Sequence, residues 1–281
     1  MLHSEEGRGT LNLLAMSKEF RTFVVCMEFI DSHTHLADEA FAGEEDDAVA
    51  RAVAAGVTKM LMADVDSGER EPMFELCGRH PGVLYPMVGL YPGSVGENWQ
   101  DEVDEVVRWK ERGAVAVGEI GLDYHYGADT AELQKEAFRV QLELAAKWDL
   151  PVNIHLREAT DDFFAIMDDC RSLGLRGNLH AFSGSAETFR RMMKYGDWYV
   201  GIGGVLTFKK AGIAQAVREI PLERILLETD SPYLAPVPLR GTRNESANVP
   251  VIAAKLAEIK EVPVELVAEV TSSSARKLFS I

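Results

Sequence analysis

The chain has 281 residues, 47% hydrophobic and 26% charged, which is enough apolar sequence for a large core without disulfide staples. Its formal net charge of −16 excludes a broad basic surface that grips nucleic acid by counterion release, but not a small site that handles phosphates through bound cations. No apolar run reaches the roughly 18–20 residues of a membrane span, and Cys26, Cys77 and Cys170, far apart in the chain, read as reduced core thiols of a cytoplasmic protein.

Residues 1–26 lack the basic start and apolar run of a signal peptide, and read either as an upstream extension or as a helix packed on the fold. From Met27 to Ile281 short apolar runs alternate with amphipathic stretches. "FVVCMEFID", "VTKMLMADV", "VLYPMVGL", "AVAVGEIG", "PVNIHL", "GNLHAF", "WYVGIGGVLTF" and "RILLETD" are rich in Val, Ile and Leu without clean alternation, as strands buried on both faces are. Helical segments such as "EEDDAVARAVAAG" and "DTAELQKEAFRVQLELAAKWDL" lie between them, and several end in Gly or lead to Pro. Eight strand–helix units predict an α/β single domain over 27–281, a (β/α)8 TIM barrel. A doubly wound open sheet is the runner-up; neither GxGxxG nor GxxxxGK[ST] is present to support it.

The polar residues at the ends of these runs carry the chemistry. "FIDSHTH" places Asp31, His33 and His35 at every second position, so one parity points them together. Glu119, His155, His180 and Asp230 end the fourth, fifth, sixth and eighth strands, and Arg157 shares the parity of His155. Strand C-termini of a barrel converge on one mouth. Four imidazoles and two carboxylates there form an N/O donor set suited to zinc, manganese, iron or nickel, with magnesium an option where few imidazoles bind. Six donors exceed the three or four of one catalytic zinc, and two divalent ions bridged by a carboxylate would use them all. Each residue alone has a plainer reading as a cap, a core polar group or a salt-bridge partner; the joint placement favours metal. His3, His80 and His125 lie in the tail or in loops and are assigned no ligand role.

The segments "FIDSHTHL", "VGEIGLDYH", "PVNIHLREA", "NLHAFSGS", "ETDSPYLAP" and "RGTRNESANVP" resemble, in order and spacing, the TatD family of metal-dependent deoxyribonucleases, within the amidohydrolase-type metal barrels. The resemblance covers essentially Met27 to Ile281. It implies His33, His35, Glu119, His155, His180 and Asp230 as ligands of two metal ions (Mg, Mn or Zn), and hydrolysis of DNA phosphodiesters, often from the 3′ end. Two departures stand out: Tyr91 in "VGLYPGS" occupies the place of a family histidine, and residues 1–26 have no counterpart in the family pattern.

On this reading Glu119 bridges the ions, with His33, His35 and Asp230 on one and His155 and His180 on the other. Asp230 orients the attacking water and takes its proton. Arg157, with Tyr91 and Arg243 as further candidates, receives a phosphate oxygen. Asp31 accepts an imidazole N–H, and Glu228, of Asp230's parity, stands behind the ligands. DNA strand ends are the expected substrate, with no membrane and no obligate protein partner. The alternatives are an amidohydrolase acting on a C–N or lactone bond, which in many two-metal members uses a modified lysine where Glu119 stands, and a metal-binding protein without turnover.

Overall fold

Eight parallel strands follow one another around a ring in chain order: β1 (Phe29–Thr34), β2 (Val57–Met62), β3 (Leu84–Val88), β4 (Ala116–Asp123), β5 (Val152–Arg157), β6 (Gly177–Leu179), β7 (Trp198–Ile202) and β8 (Ile225–Leu227). The computed structural model describes residues 27–281, so the N-terminal extension, Cys26, His3 and the start of the first expected strand lie outside the described residues. β8 returns to β1 through a parallel bridge between Thr34 and Ser231, with the His35 N–H donating to the Ser231 carbonyl at 2.8 Å and the Asp230 N–H to that of His33 at 2.9 Å. The ring is thereby a near-closed barrel of the TIM type.

Helices cover the outside: α1 (Glu45–Ala54), α2 (Ser67–Arg79), α3 (Trp99–Lys110), α4 (Ala131–Trp148), α5 (Thr160–Asp169), α6 (Ala186–Met192), α7 (Ile213–Glu219), α8 (Val249–Lys260) and α9 (Val264–Phe279). Their local logic is ordinary. In α4, Ala137, Phe138, Gln141, Leu142 and Ala145 recur at helical spacing and are buried, and Asp149 ends the helix in the left-handed conformation. Burying a side chain such as Phe138 or Leu142 contributes roughly 1.5–3 kcal/mol. One end of the barrel is filled by Ile30, Leu61, Met87, Tyr199 and Leu226, against which α9 packs Leu278 and Phe279. That end is plugged, which leaves the strand C-termini as the open one.

Two strands break their alternation. In β1, Asp31 pairs with Met60 and Thr34 with Met62, three residues against two. In β4, Val117 pairs with Val152 and Ile120 with Ile154, again three against two. Each irregularity inserts one residue and reverses which side the following side chains face, as a bulge does. β4 then runs past Glu119 to Asp123, further than its apolar run implies. The seventh strand is shorter than expected, because Gly203 and Gly204 lead into a 3-10 turn over Gly204–Thr207. β8 stops at Leu227, so Asp230 stands on the loop, with φ 55, a left-handed conformation that Asp tolerates.

Candidate metal centre

Six side chains, from the C-terminal ends of β1, β4, β5 and β6 and from the loop after β8, converge at the open end. From β1, Nε2 of His33 and Nε2 of His35 stand 2.9 Å apart. Glu119 Oε2 lies 3.4 Å from the first and 3.5 Å from the second. Asp230 Oδ1 lies 3.6 and 3.5 Å from the same two atoms. The other oxygen of Glu119, Oε1, turns the opposite way and lies 2.7 Å from both His155 Nδ1 and His180 Nε2. A single carboxylate thus presents one oxygen to each of two histidine pairs. His33, His35 and Asp230, and likewise His33, Glu119 and His180, bring their donor atoms within 4.8 Å of one another.

The rings are held so that their lone pairs face inward. His35 Nδ1 meets the Ala63 carbonyl at 3.1 Å, an acceptor only, so Nδ1 carries a proton and Nε2 is the nitrogen turned toward Glu119 and Asp230. His33 Nδ1 donates to Asn153 Oδ1 at 2.8 Å, and Asn153 Nδ2 donates to Asn178 Oδ1 at 3.2 Å. His155 Nε2 donates to Asp123 Oδ2 at 2.9 Å. Ligating histidines are ordinarily fixed by such partners on the far nitrogen. Imidazole nitrogens and carboxylate oxygens at these separations need a proton or a metal ion among them. The donor set and its orientation therefore fit divalent metal.

Burial would raise the pKa of Glu119, but the surrounding imidazoles, His180 and His155 foremost, hold it well below the ordinary range. Asp230 is also lowered: burial opposes ionisation, and the His35 hydrogen bond and imidazole charges overcome it. Burial pushes His180 down to about 4, helped by His33, so its ring is neutral and ready to ligate. Both oxygens of Glu119 are thus available as anionic donors at neutral pH.

The structure relocates several expected residues. Asp31 faces away from the imidazoles: it accepts from the Thr229 N–H at 2.9 Å and the Thr229 hydroxyl at 2.6 Å, and meets only the backbone N–H of His33, at 3.3 Å. The extra residue in β1 is the reason, since it places Asp31 and His33 on opposite sides of the strand. Arg243 is likewise corrected: it donates to the Ala40 carbonyl at 2.7 Å and to Glu44 and Glu245 at 2.9 Å each, so its guanidinium is committed to joining the loop after β8 to the β1 side. Arg157 and Tyr91 do line the cavity above the converging side chains, about 360 Å3 in volume. The Tyr91 hydroxyl lies 3.4 Å from Asp123 Oδ2, and its ring meets His155 edge-on. Glu228 is fully buried, accepts the Ala181 N–H with Oε1, and lies 4.0 Å from His180 Nδ1. Among the remaining histidines, His80 pairs with Asp46 and His125 with Glu158, both away from the ligands.

Sequence reasoning missed Asp123, Asn153 and Asn178. A signal for them exists: Asn153 precedes His155 by two residues, Asn178 precedes His180 by two, and Asp123 follows Glu119 by four, each at a strand spacing that returns to the same face. It also missed the buried pair of Asp64 and Arg70, which grips the end of β3: Arg70 Nη2 donates to the Gly89 carbonyl at 3.0 Å and Asp64 Oδ1 accepts the Gly89 N–H at 3.1 Å, two residues before Tyr91.

With the centre assembled from these strand ends, comparison with known proteins decides its lineage. The sequence pattern of the family described as "TatD related DNase" matches residues 30–280. The chain belongs to that family. It is a TatD-family metal-dependent hydrolase. It is 37% identical over 257 residues to the "Uncharacterized metal-dependent hydrolase YabD" of Bacillus subtilis, covering 89% of this chain and 98% of that one. It is 32% identical over 259 residues to the "3'-5' ssDNA/RNA exonuclease TatD" of Pantoea ananatis, covering 89% and 99%. Among solved structures, the TatD homologue YJJV of Escherichia coli K12 superposes with a TM-score of 0.84 at 28% identity, covering 90% of this chain and 98% of that one. The TatD family resemblance thus extends along the whole barrel and is not confined to the ligand motifs.

Proposed function

We propose that this TatD-family protein hydrolyses phosphodiester bonds of DNA from the 3′ end, with divalent metal that His33, His35, Glu119, His155, His180 and Asp230 would hold. The observation that carries the reading is the opposed aim of the two Glu119 oxygens, one at His33 and His35, the other at His155 and His180. Divalent ions bound there would polarise the phosphate and acidify a water, the chemistry two-ion sites supply to in-line displacement. Mg, Mn and Zn all suit this donor set.

The protein's own groups do the rest. Asp230 Oδ1, ionised and beside both β1 histidines, orients the water and accepts its proton as the water oxygen bonds to phosphorus and the bond to the leaving sugar oxygen breaks. Arg157 lines the cavity and offers in-plane N–H groups to a phosphate oxygen. Tyr91 keeps its proton, because burial and the nearby carboxylates of Glu119 and Asp123 push its pKa up, so the phenol serves as a donor and not as an anionic ligand. That the Pantoea ananatis relative is a 3'-5' ssDNA/RNA exonuclease supports the substrate class.

The test is hydrolysis of single-stranded DNA with free or blocked ends, after chelation and addition of each metal. Free 3′ ends should be consumed progressively, and Asp230→Asn should abolish nearly all turnover while the protein stays folded. Near-normal turnover by that variant removes Asp230 from the mechanism.

A further inference from the structure

Tyr126, on the loop after β4, is 71% exposed, and Tyr233, after β8, is 52% exposed. Neither ring contributes much burial to the fold, yet both line the cavity over the ligands. Tyr126 is braced. The Arg157 guanidinium lies 4.7 Å from its ring centroid, and His125 meets it edge-on with centroids 4.6 Å apart. His125 is itself tied to Glu158 at 2.8 Å. The backbone N–H of Tyr126 donates at 3.0 Å to Asp123, the same carboxylate that fixes His155, so the ring is registered to the metal centre. Stacking engages the flat face of a guanidinium and leaves its in-plane N–H groups for a phosphate. Tyr233 stands beside His35 of β1, ring centroids 6.2 Å apart, with its hydroxyl donating to Asp38 at 2.8 Å. Arg157 belongs to β5, four strands from β1 in a ring of eight, so the two tyrosines flank opposite sides of the mouth.

We propose that Tyr126, braced by Arg157, is a stacking platform for the base of an unpaired nucleotide whose phosphate lies at the metal centre, with Tyr233 as the facing wall. The ligand class is a single-stranded nucleic-acid end, and the proposal rests on the phosphodiesterase reading above. It explains how a chain of net charge −16 holds a polyanion: base–aromatic stacking uses the π-face that every base has and needs no field of basic residues. It also makes an unpaired end the preferred ligand, because a paired base already has its neighbours stacked on it.

The experiment is fluorescence anisotropy of a short single-stranded DNA with a phosphorothioate-protected 3′ end, bound to the metal-loaded full chain, with hydrolysis of the unprotected strand followed in parallel. Tyr126→Ala should weaken binding at least about fivefold, and Tyr126→Phe should recover to within about twofold, since stacking needs the ring and not the hydroxyl. On a strand whose 3′-terminal nucleotides lack bases, wild type and Tyr126→Ala should bind alike. If Tyr126→Ala binds the natural strand as tightly as wild type, or loses equally on the abasic strand, the platform is overturned, while hydrolysis by the wild type would still uphold the phosphodiesterase reading. If the wild type neither binds nor cleaves nucleic acid, both fall.

Discussion

His33 and His35 aim their Nε2 atoms at each other across 2.9 Å, with Glu119 and Asp230 closing on the same point. Such a cluster requires a positive charge at its centre, either a proton or a metal ion. Burial would lower the His35 pKa, but the Asp230 hydrogen bond and the charges of Glu119 and Asp230 raise it to about 9. His155, between Asp123 and Glu119, is raised to about 9 against the same penalty. Without metal both rings are therefore protonated at neutral pH, and metal must expel those protons. Because the raised values lie above neutrality, apparent metal affinity should climb as pH rises and level off above about 9, by up to about tenfold per unit for each proton released. Calorimetry at neutral pH in buffers of different ionisation enthalpy should show net proton release on metal uptake. An affinity that stays flat across that range would contradict the picture.

Asp123 is predicted to set the strength of the His155 side of the centre. Burial opposes its ionisation, but the His155 hydrogen bond and two backbone N–H groups lower it to about 2, so it is a carboxylate at every working pH. Asp123→Asn keeps the shape and removes the charge behind the imidazole. Metal affinity should fall about 10–100-fold, the usual cost of losing such a partner, and the metal-free protein should also melt lower, because it loses the ion pair with protonated His155. A metal titration indistinguishable from wild type would show that His155 does not depend on Asp123.

The barrel and its six convergent residues were legible because strand-end polar residues stand out against apolar runs, and because parallel strands must deliver their C-termini to one rim. Parity was legible only where the strand is regular. It placed His33 with His35 correctly, and misplaced Asp31 because one inserted residue in β1 leaves no mark in a hydrophobicity pattern. The length of β4 was hidden for a related reason. Gly121, with φ 144, is forced by the close approach of the His155 carbonyl, where a Cβ would lie 2.0 Å away, and a glycine amid strand sequence reads more readily as an end than as a crossing. Arg243 was misread because a loop arginine near a phosphate site and one bound to Glu44 and Glu245 look identical in sequence.

Arg243 is therefore predicted to matter for stability and not for substrate. Its guanidinium joins the loop after β8 to Ala40 and Glu44, and shares Glu245 with Arg51, whose own bonds to that carboxylate are 2.7 and 2.9 Å. Arg243→Ala should cost about 1 kcal/mol, the upper range for partly exposed pairs, and lower the melting temperature by roughly 2–4 °C. KM for a single-stranded substrate should not move. A raised KM at unchanged stability would return Arg243 to the substrate.

Gly201 and Glu228 provide the most stringent test of the packing beneath the ligands. Gly201 lies on β7 where a Cβ would stand 1.9 Å from Glu228 Oε2 and 2.5 Å from its Cδ. Glu228 has nowhere to retreat, since it is fully buried and its other oxygen holds the Ala181 N–H, next to His180. Burial pushes its pKa well above the usual carboxylate range, and its carboxyl forms a bulky part of the floor of the site. Gly201→Ala should destabilise the fold by about 1–3 kcal/mol through overpacking, and weaken metal binding by displacing His180. Glu228→Ala removes the obstructing carboxyl, so the double variant should be more stable than the sum of the two single losses predicts, as contacting residues do. Strict additivity in that cycle would mean that the glycine does not exist to make room for the acid.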